Sequence, residues 1–270
     1  MALKSINSSI ILFVAITIGY GFLKYIIVSL KSKYQNDEKQ NDFFVRNFEN
    51  IALISYIILT FSTQLMSNLS YVKEICRGSS QNTFSVLIYT LFPYFIIFCS
   101  IIVLVNVFSG WLRPFSNTFG YGLVLFMGVK NLFTKLLNPA SNDPLLSQIY
   151  TDKSMMINEM SPNNYHTFMK KISGSILKPD YLNMPEYKKL ENMVRIKNIV
   201  SEIIWFILAG ILSLTVSKSI LTNYKCNYDV KTMQKMHKKL QNKEEQITAK
   251  EELDKELTQT GITSVKSKPQ

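Results

Sequence analysis

Gly110-Trp111-Leu112-Arg113-Pro114-Phe115-Ser116-Asn117-Thr118-Phe119-Gly120-Tyr121-Gly122 lies between two apolar runs, Val86–Phe108 before it and Leu123–Leu137 after it. The first run is long enough for a helix to cross about 30 Å of hydrocarbon, and it carries no formal charge. The Trp111-Leu112-Arg113 at its end is what a helix meeting the headgroups carries, an amphipathic ring beside a cation. The reading of this stretch decides the class: an all-α, multi-pass membrane helical bundle. Pro114 with Gly110, Gly120 and Gly122 is expected to forbid a continuous helix, with Ser116 or Asn117 as N-cap of the next one. Leu123–Leu137 contains Lys130 and Lys135 and is short for a span, so it reads as an interfacial or re-entrant helix.

Three more apolar blocks complete the pattern. Residues 10–30 form a first span with no cleavage site behind it, residues 51–69 a second, and residues 198–222 a last one after residues 86–108. Residues 1–137 are thus the membrane region, 138–197 a soluble helical segment, and 223–270 a charged tail, partly helical or disordered. Ser55, Thr60, Ser62, Thr63 and Gln64 are too polar for lipid on every side and are expected to face neighbouring helices. Lys24 interrupts the first span and is expected to snorkel to the headgroups. Glu202 falls one turn inside the last span, exposed at the interface or paired with a lysine. In the third span Pro93 can kink the helix or mark its first turn.

In the soluble segment Asn138-Pro139, Asp143-Pro144, Ser161-Pro162 and Lys178-Pro179 punctuate the chain, so it reads as short helices joined by turns. Ser161-Pro162 reads as an N-cap and first-turn proline opening Asn163–Ile172. Pro185 opens another helix with nothing to break it before Leu221. In the tail, Lys225, Lys231, Lys235, Lys238 and Lys239 form a basic first half suited to an anionic membrane surface, and an acidic half comes after it. Part of the net charge of +11 is juxtamembrane lysine and arginine, so nucleic acid is an unlikely partner.

Cys76, Cys99 and Cys226 form no metal framework. Cys76 and Cys226 share a side in a four-span topology, where a bond between them is open. Asn68-Leu69-Ser70 is a formal glycosylation acceptor close to the bilayer. His166 has no acidic or cysteine partner at ligand spacing and reads as an exposed helix residue. No hydrolase elbow, zinc-protease, phosphate-loop or dinucleotide fingerprint occurs, so no enzyme and no cofactor is expected.

Trp111-Leu112-Arg113-Pro114-Phe115-Ser116-Asn117-Thr118-Phe119-Gly120-Tyr121 resembles a segment of multi-pass membrane proteins of nucleocytoplasmic large DNA viruses, the giant algal and amoebal viruses. Ile157-Asn158-Glu159-Met160-Ser161-Pro162-Asn163-Asn164-Tyr165 resembles a second segment of the same proteins. The resemblance covers about residues 86–217. It implies a virion protein of the internal membrane, partnered by the lipid bilayer and by capsid or other membrane proteins, with a homo-oligomer open. Trp111, Arg113, Pro114, Phe115, Asn117, Phe119, Gly120 and Tyr121 would then form a structural or docking turn. The alternatives are a small oligomeric channel lined by residues 120–137 and a cellular organelle membrane adaptor.

Overall fold

The computed structural model describes residues 2–33, 38–76, 83–138, 152–173, 176–226 and 230–259. These residues fold as helices, with no β-strand among them. We number the helices α1 (Ala2–Lys33), α2 (Glu38–Ile75), α3 (Thr83–Val107), α4 (Tyr121–Phe126), α5 (Val129–Leu136), α6 (Tyr165–Ile172), α7 (Pro185–Thr222) and α8 (Val230–Gln259). Four of them, α1, α2, α3 and α7, are long and apolar enough to cross a membrane.

α7 is the centre of the bundle. Of its most apolar window 44% is buried, against 22%, 17% and 33% for α1, α2 and α3. Gly210 lets α1 close onto it, because a Cβ there would strike the ring of Phe13. An aromatic stack fills the space between the spans. Tyr20 and Tyr56 stack with centroids 4.4 Å apart, Tyr56 lies 5.8 Å from Phe206, and Phe98 meets Phe206 edge-on at 6.1 Å. Buried hydroxyls here are tied to neighbours, as a low-dielectric interior demands. Thr17 and Tyr56 share a hydrogen bond of 2.9 Å, and Thr60 and Tyr94 one of 2.8 Å. Pro93 lies inside α3 and leads into a wide π-helical turn, Tyr94–Cys99, rather than a helix end.

One end of the bundle holds the start of α1 and the end of α7. Here Cys76 and Cys226 are disulfide-bonded, with Cα atoms 5.5 Å apart, in a small core of Tyr71, Val72, Val86 and Leu221. Asn68 is fully buried beside it and donates to Thr90 and Ser217 at 2.9 and 2.6 Å. The formal glycosylation acceptor is therefore closed to modification by its own packing.

At the other end sits a second core. Val124, Val129, Leu132, Phe133, Leu136, Met156, Ile157, Met160, Tyr165, Met169, Leu190 and Val194 pack together. This subdomain recruits part of the stretch expected to be an interfacial or re-entrant helix. Residues 123–137 are not one short membrane helix: Gly128 breaks them at φ +88°, a backbone only glycine adopts freely. After the break, α5 turns its apolar face into the subdomain. Lys130 pairs with Asp152 at 2.5 Å and Lys135 with Glu186 at 3.3 Å. The apolar residues of α5 face other protein, so composition alone could not distinguish them from lipid-facing ones.

Two smaller readings of the sequence, at Ser161 and Lys24, are corrected. Ser161 does not cap a helix, because the Asn164 side chain accepts from the Ser161 N–H at 2.7 Å and α6 starts at Tyr165. His166 is an exposed residue of α6, as expected; its Nδ1 lies 2.7 Å from the Tyr187 hydroxyl and its Nε2 3.7 Å from Glu191 on α7. Lys24 does not reach for the headgroups alone; its ammonium lies 2.5 Å from the Glu202 carboxylate. Residues 139–151, with Pro139 and Pro144, lie outside the described residues.

Candidate functional site

The site builds from the stretch after α3. Phe108 leaves helical geometry at φ −112°, ψ 86°, and the chain turns. From Ser109 it runs as an arm of changing pitch: a 3-10 turn at Ser109–Leu112, one α turn, a π turn at Ser116–Gly120, then α4. The expected helix breakers do not break it. Pro114 occupies the first turn, where a missing N–H costs nothing. Gly120 is helical at φ −62°, ψ −43°. Its smallness serves a different end: a Cβ there would lie 2.6 Å from the Lys197 carbonyl oxygen of α7. Gly110 and Gly122 have open space around them.

A row of hydrogen bonds lays the arm on α7. The Trp205 indole donates to the Trp111 carbonyl at 2.7 Å, and the Ser201 hydroxyl to the Leu112 carbonyl at 2.6 Å. Both carbonyls belong to a short turn that would otherwise leave them short of donors. Ser116 donates to Asn198 at 3.2 Å. Lys197, only 1% exposed, donates to Asn117 Oδ1 at 3.0 Å and to the Ile157 carbonyl at 2.7 Å. Neither Ser116 nor Asn117 caps a helix; both reach sideways to α7.

Lys197 is thus the node of the site. One buried ammonium holds together the arm, the 3-10 turn Lys153–Glu159 and α7. Residues 111–121 and 157–165, far apart in sequence, meet at this node through Asn117 and Ile157. Phe115 packs on Trp205 at 4.9 Å, while Trp111, Phe119, Leu123 and Phe126 leave much of their surface open. Phe126 is 94% exposed. Tyr121 bonds Ser154 at 3.2 Å, and Arg113 is exposed. The open face fits the headgroup layer, where aromatic and aliphatic side chains bury and cations stay wet.

Beneath the arm lies the charged pair of the bundle. Glu202, 6% exposed, takes the Lys24 ammonium and accepts a longer bond from the Tyr20 hydroxyl at 3.4 Å. The pair joins the first and last spans one helical turn below Lys197 and Asn198.

In the subdomain, Asp152 caps its 3-10 turn by accepting from the Ser154 N–H at 3.0 Å. The hydrogen bond from Lys130 is the main reason its carboxyl is held below the usual aspartate range. Burial pushes the Tyr165 phenol up, and its hydroxyl donates to the Tyr187 carbonyl at 2.7 Å. Neither arrangement supplies a nucleophile beside a base.

Lys225, Lys238 and Lys239 are exposed; the side chains of Lys231 and Lys235 lie outside the described residues. Lys238 and Lys239 ride on α8, where Leu240 and Ile247 are 62% and 56% exposed. Sequence reasoning singled out the arm but missed Lys197, Asn198 and Ser201 on the partner helix. Their signal was present only as polar residues at the mouth of an apolar run. Compared with protein-family models, curated proteins and solved structures, the chain matches none.

Proposed function

We propose that this chain is a non-enzymatic membrane scaffold that holds a rigid extramembrane subdomain for a capsid or membrane partner, in the architecture or assembly of a viral internal membrane. The observation that carries the reading is the unbroken course of α7. It begins inside the subdomain core at Pro185, passes the Lys197 node and ends beside the disulfide. Its 38 residues span about 57 Å at 1.5 Å per residue, far more than a bilayer core requires. A force on the subdomain is therefore transmitted into the bundle without a hinge. The arm braces the same junction from the side. The viral setting is supported by the resemblance of the two stretches that Lys197 joins. Mass spectrometry of protease-treated, delipidated virions tests it: the chain is expected among the protected membrane proteins, and its absence from purified particles would remove the viral reading.

The pore alternative loses support from the course of residues 120–137, since α5 buries its apolar face in the subdomain. Planar-bilayer recording separates the two: silence is expected, and a conductance abolished by Lys130→Glu would favour the pore. An organelle adaptor working through α8 would lose its partner on deletion of 230–270, which the scaffold reading does not require.

A further inference from the structure

At the disulfide end, polar side chains gather where the bundle should be driest. Among the described residues, three buried polar atoms there find no hydrogen-bond partner: Gln64 Nε2, Asn68 Oδ1 and Ser213 Oγ. Gln64 is 3% exposed and Ser213 is fully buried. An unsatisfied buried amide or hydroxyl costs about 1–3 kcal/mol, and of the three residues Gln64 lines an opening that a guest can fill. A crevice of about 300 Å³ opens there between α1 and α2, lined by Ser9, Thr63, Gln64, Ser67 and Ser70. A second, of about 290 Å³, lies across Ser9 between α1 and α7, lined by Lys218, Ser219 and Thr222. Lys218, 4% exposed, donates to the Ser9 hydroxyl at 3.0 Å, and Ser9 and Ser67 are 2.5 Å apart.

The depth of these crevices fits a headgroup. Ser9 lies at the start of the α1 span and Lys218 one turn before the end of α7. The walls are mixed in a way a lipid would use. Hydroxyls, an amide and an ammonium face inward, while Leu12 and Met66 at the rim are 50% and 69% exposed and can carry acyl chain. The Gln64 amide N–H and the ammonium can only donate, and a phosphodiester can only accept. The buried positive charge favours a headgroup of net negative charge over a zwitterionic one.

We propose that the crevice between α1, α2 and α7 binds the phosphodiester of an anionic phospholipid, with Gln64 and the serine hydroxyls donating to it and Lys218 supplying the charge. The proposal stands independently of the viral setting. Its test is thermal unfolding of the full-length protein in a neutral detergent, with short-chain phosphatidylglycerol, short-chain phosphatidylcholine or inorganic phosphate added. Phosphatidylglycerol is expected to raise Tm by several degrees, phosphatidylcholine by less and inorganic phosphate not at all. Gln64→Leu and Lys218→Met are each expected to cut the phosphatidylglycerol shift about twofold or more. Gln64→Leu removes an unpaired polar group, so it keeps its fold even if Lys218→Met does not. An undiminished shift in Gln64→Leu, or no shift in the wild type, would overturn the proposal. A shift reproduced by inorganic phosphate would overturn the lipid assignment and leave a free-anion site.

Discussion

The Trp205 indole donates to the carbonyl oxygen of Trp111 at 2.7 Å, and the two rings meet edge to face with centroids 5.6 Å apart. Together the hydrogen bond and the ring contact fix the arm's angle to α7. Trp205→Phe keeps the ring and removes the donor. It is expected to lower Tm by a few degrees, about 1 kcal/mol, and to raise protease sensitivity between Phe108 and Gly122. Limited proteolysis in nanodiscs checks this. Cleavage unchanged from wild type would mean that the bond does not hold the arm.

The three glycines of the arm are expected to respond unequally. Gly120→Leu puts a side chain against the Lys197 backbone and should cost about 2–3 kcal/mol or detach the arm. Gly110→Ala and Gly122→Ala meet open space and should be tolerated within about 0.5 kcal/mol. Tm in one detergent ranks the variants. Equal losses at all three positions would restore the reading of glycines as helix breakers.

The Lys24–Glu202 pair should behave as a unit. Lys24→Met leaves the Glu202 carboxylate buried without its cation. It is expected to cost about 2 kcal/mol, discounted from a fully buried pair because the Lys24 side chain is 21% exposed. The double variant Lys24→Met, Glu202→Met should recover most of that loss. A double-mutant cycle measures it, and strictly additive losses would show the two groups to be uncoupled.

The subdomain should weaken at low pH through Asp152. Its carboxyl is held below the ordinary value of 3.8, chiefly by the hydrogen bond from Lys130. The stability it contributes is full above that value and is lost as pH falls through the lower, folded value. Protease resistance of the 3-10 turn should therefore decline below about pH 4, and Asp152→Asn should remove that part of the acid response. An acid response identical in Asp152→Asn would place its origin elsewhere.

The disulfide orients the molecule. Such bonds persist in oxidising compartments, so the end carrying Cys76, Cys226 and the start of α1 is expected to face one. In a Cys99→Ala background with the disulfide intact, thiols introduced at Ser173 and Gln241 should label from opposite sides of the membrane. Labelling from the same side would refute the four-span arrangement.

The spans were legible because each apolar block is long enough to cross a bilayer whatever neighbours its two sides meet. Leu123–Leu137 was not, because Val129, Leu132, Phe133 and Leu136 are apolar for a protein core rather than for lipid. The arm was legible as a special stretch from Trp111, Pro114 and Phe119. Its geometry was not, since Gly120 reads as a breaker until the Lys197 carbonyl is placed against it. Lys197 and Glu202 looked like charges at a span mouth. Which partner each would find depended on helices up to 182 residues apart in sequence.

The scaffold claim is tested most directly by cross-linking inside intact particles. A photo-reactive residue is placed at Phe119, on the open face of the arm, or at Lys170 on α6. Ultraviolet irradiation of purified virions should then link the chain to a capsid or membrane protein of the particle, which mass spectrometry of the adduct identifies. Adducts from one of these positions and none from Leu240 on α8 are the predicted result. Particles that contain the chain but yield adducts only to lipid from both positions would contradict the account.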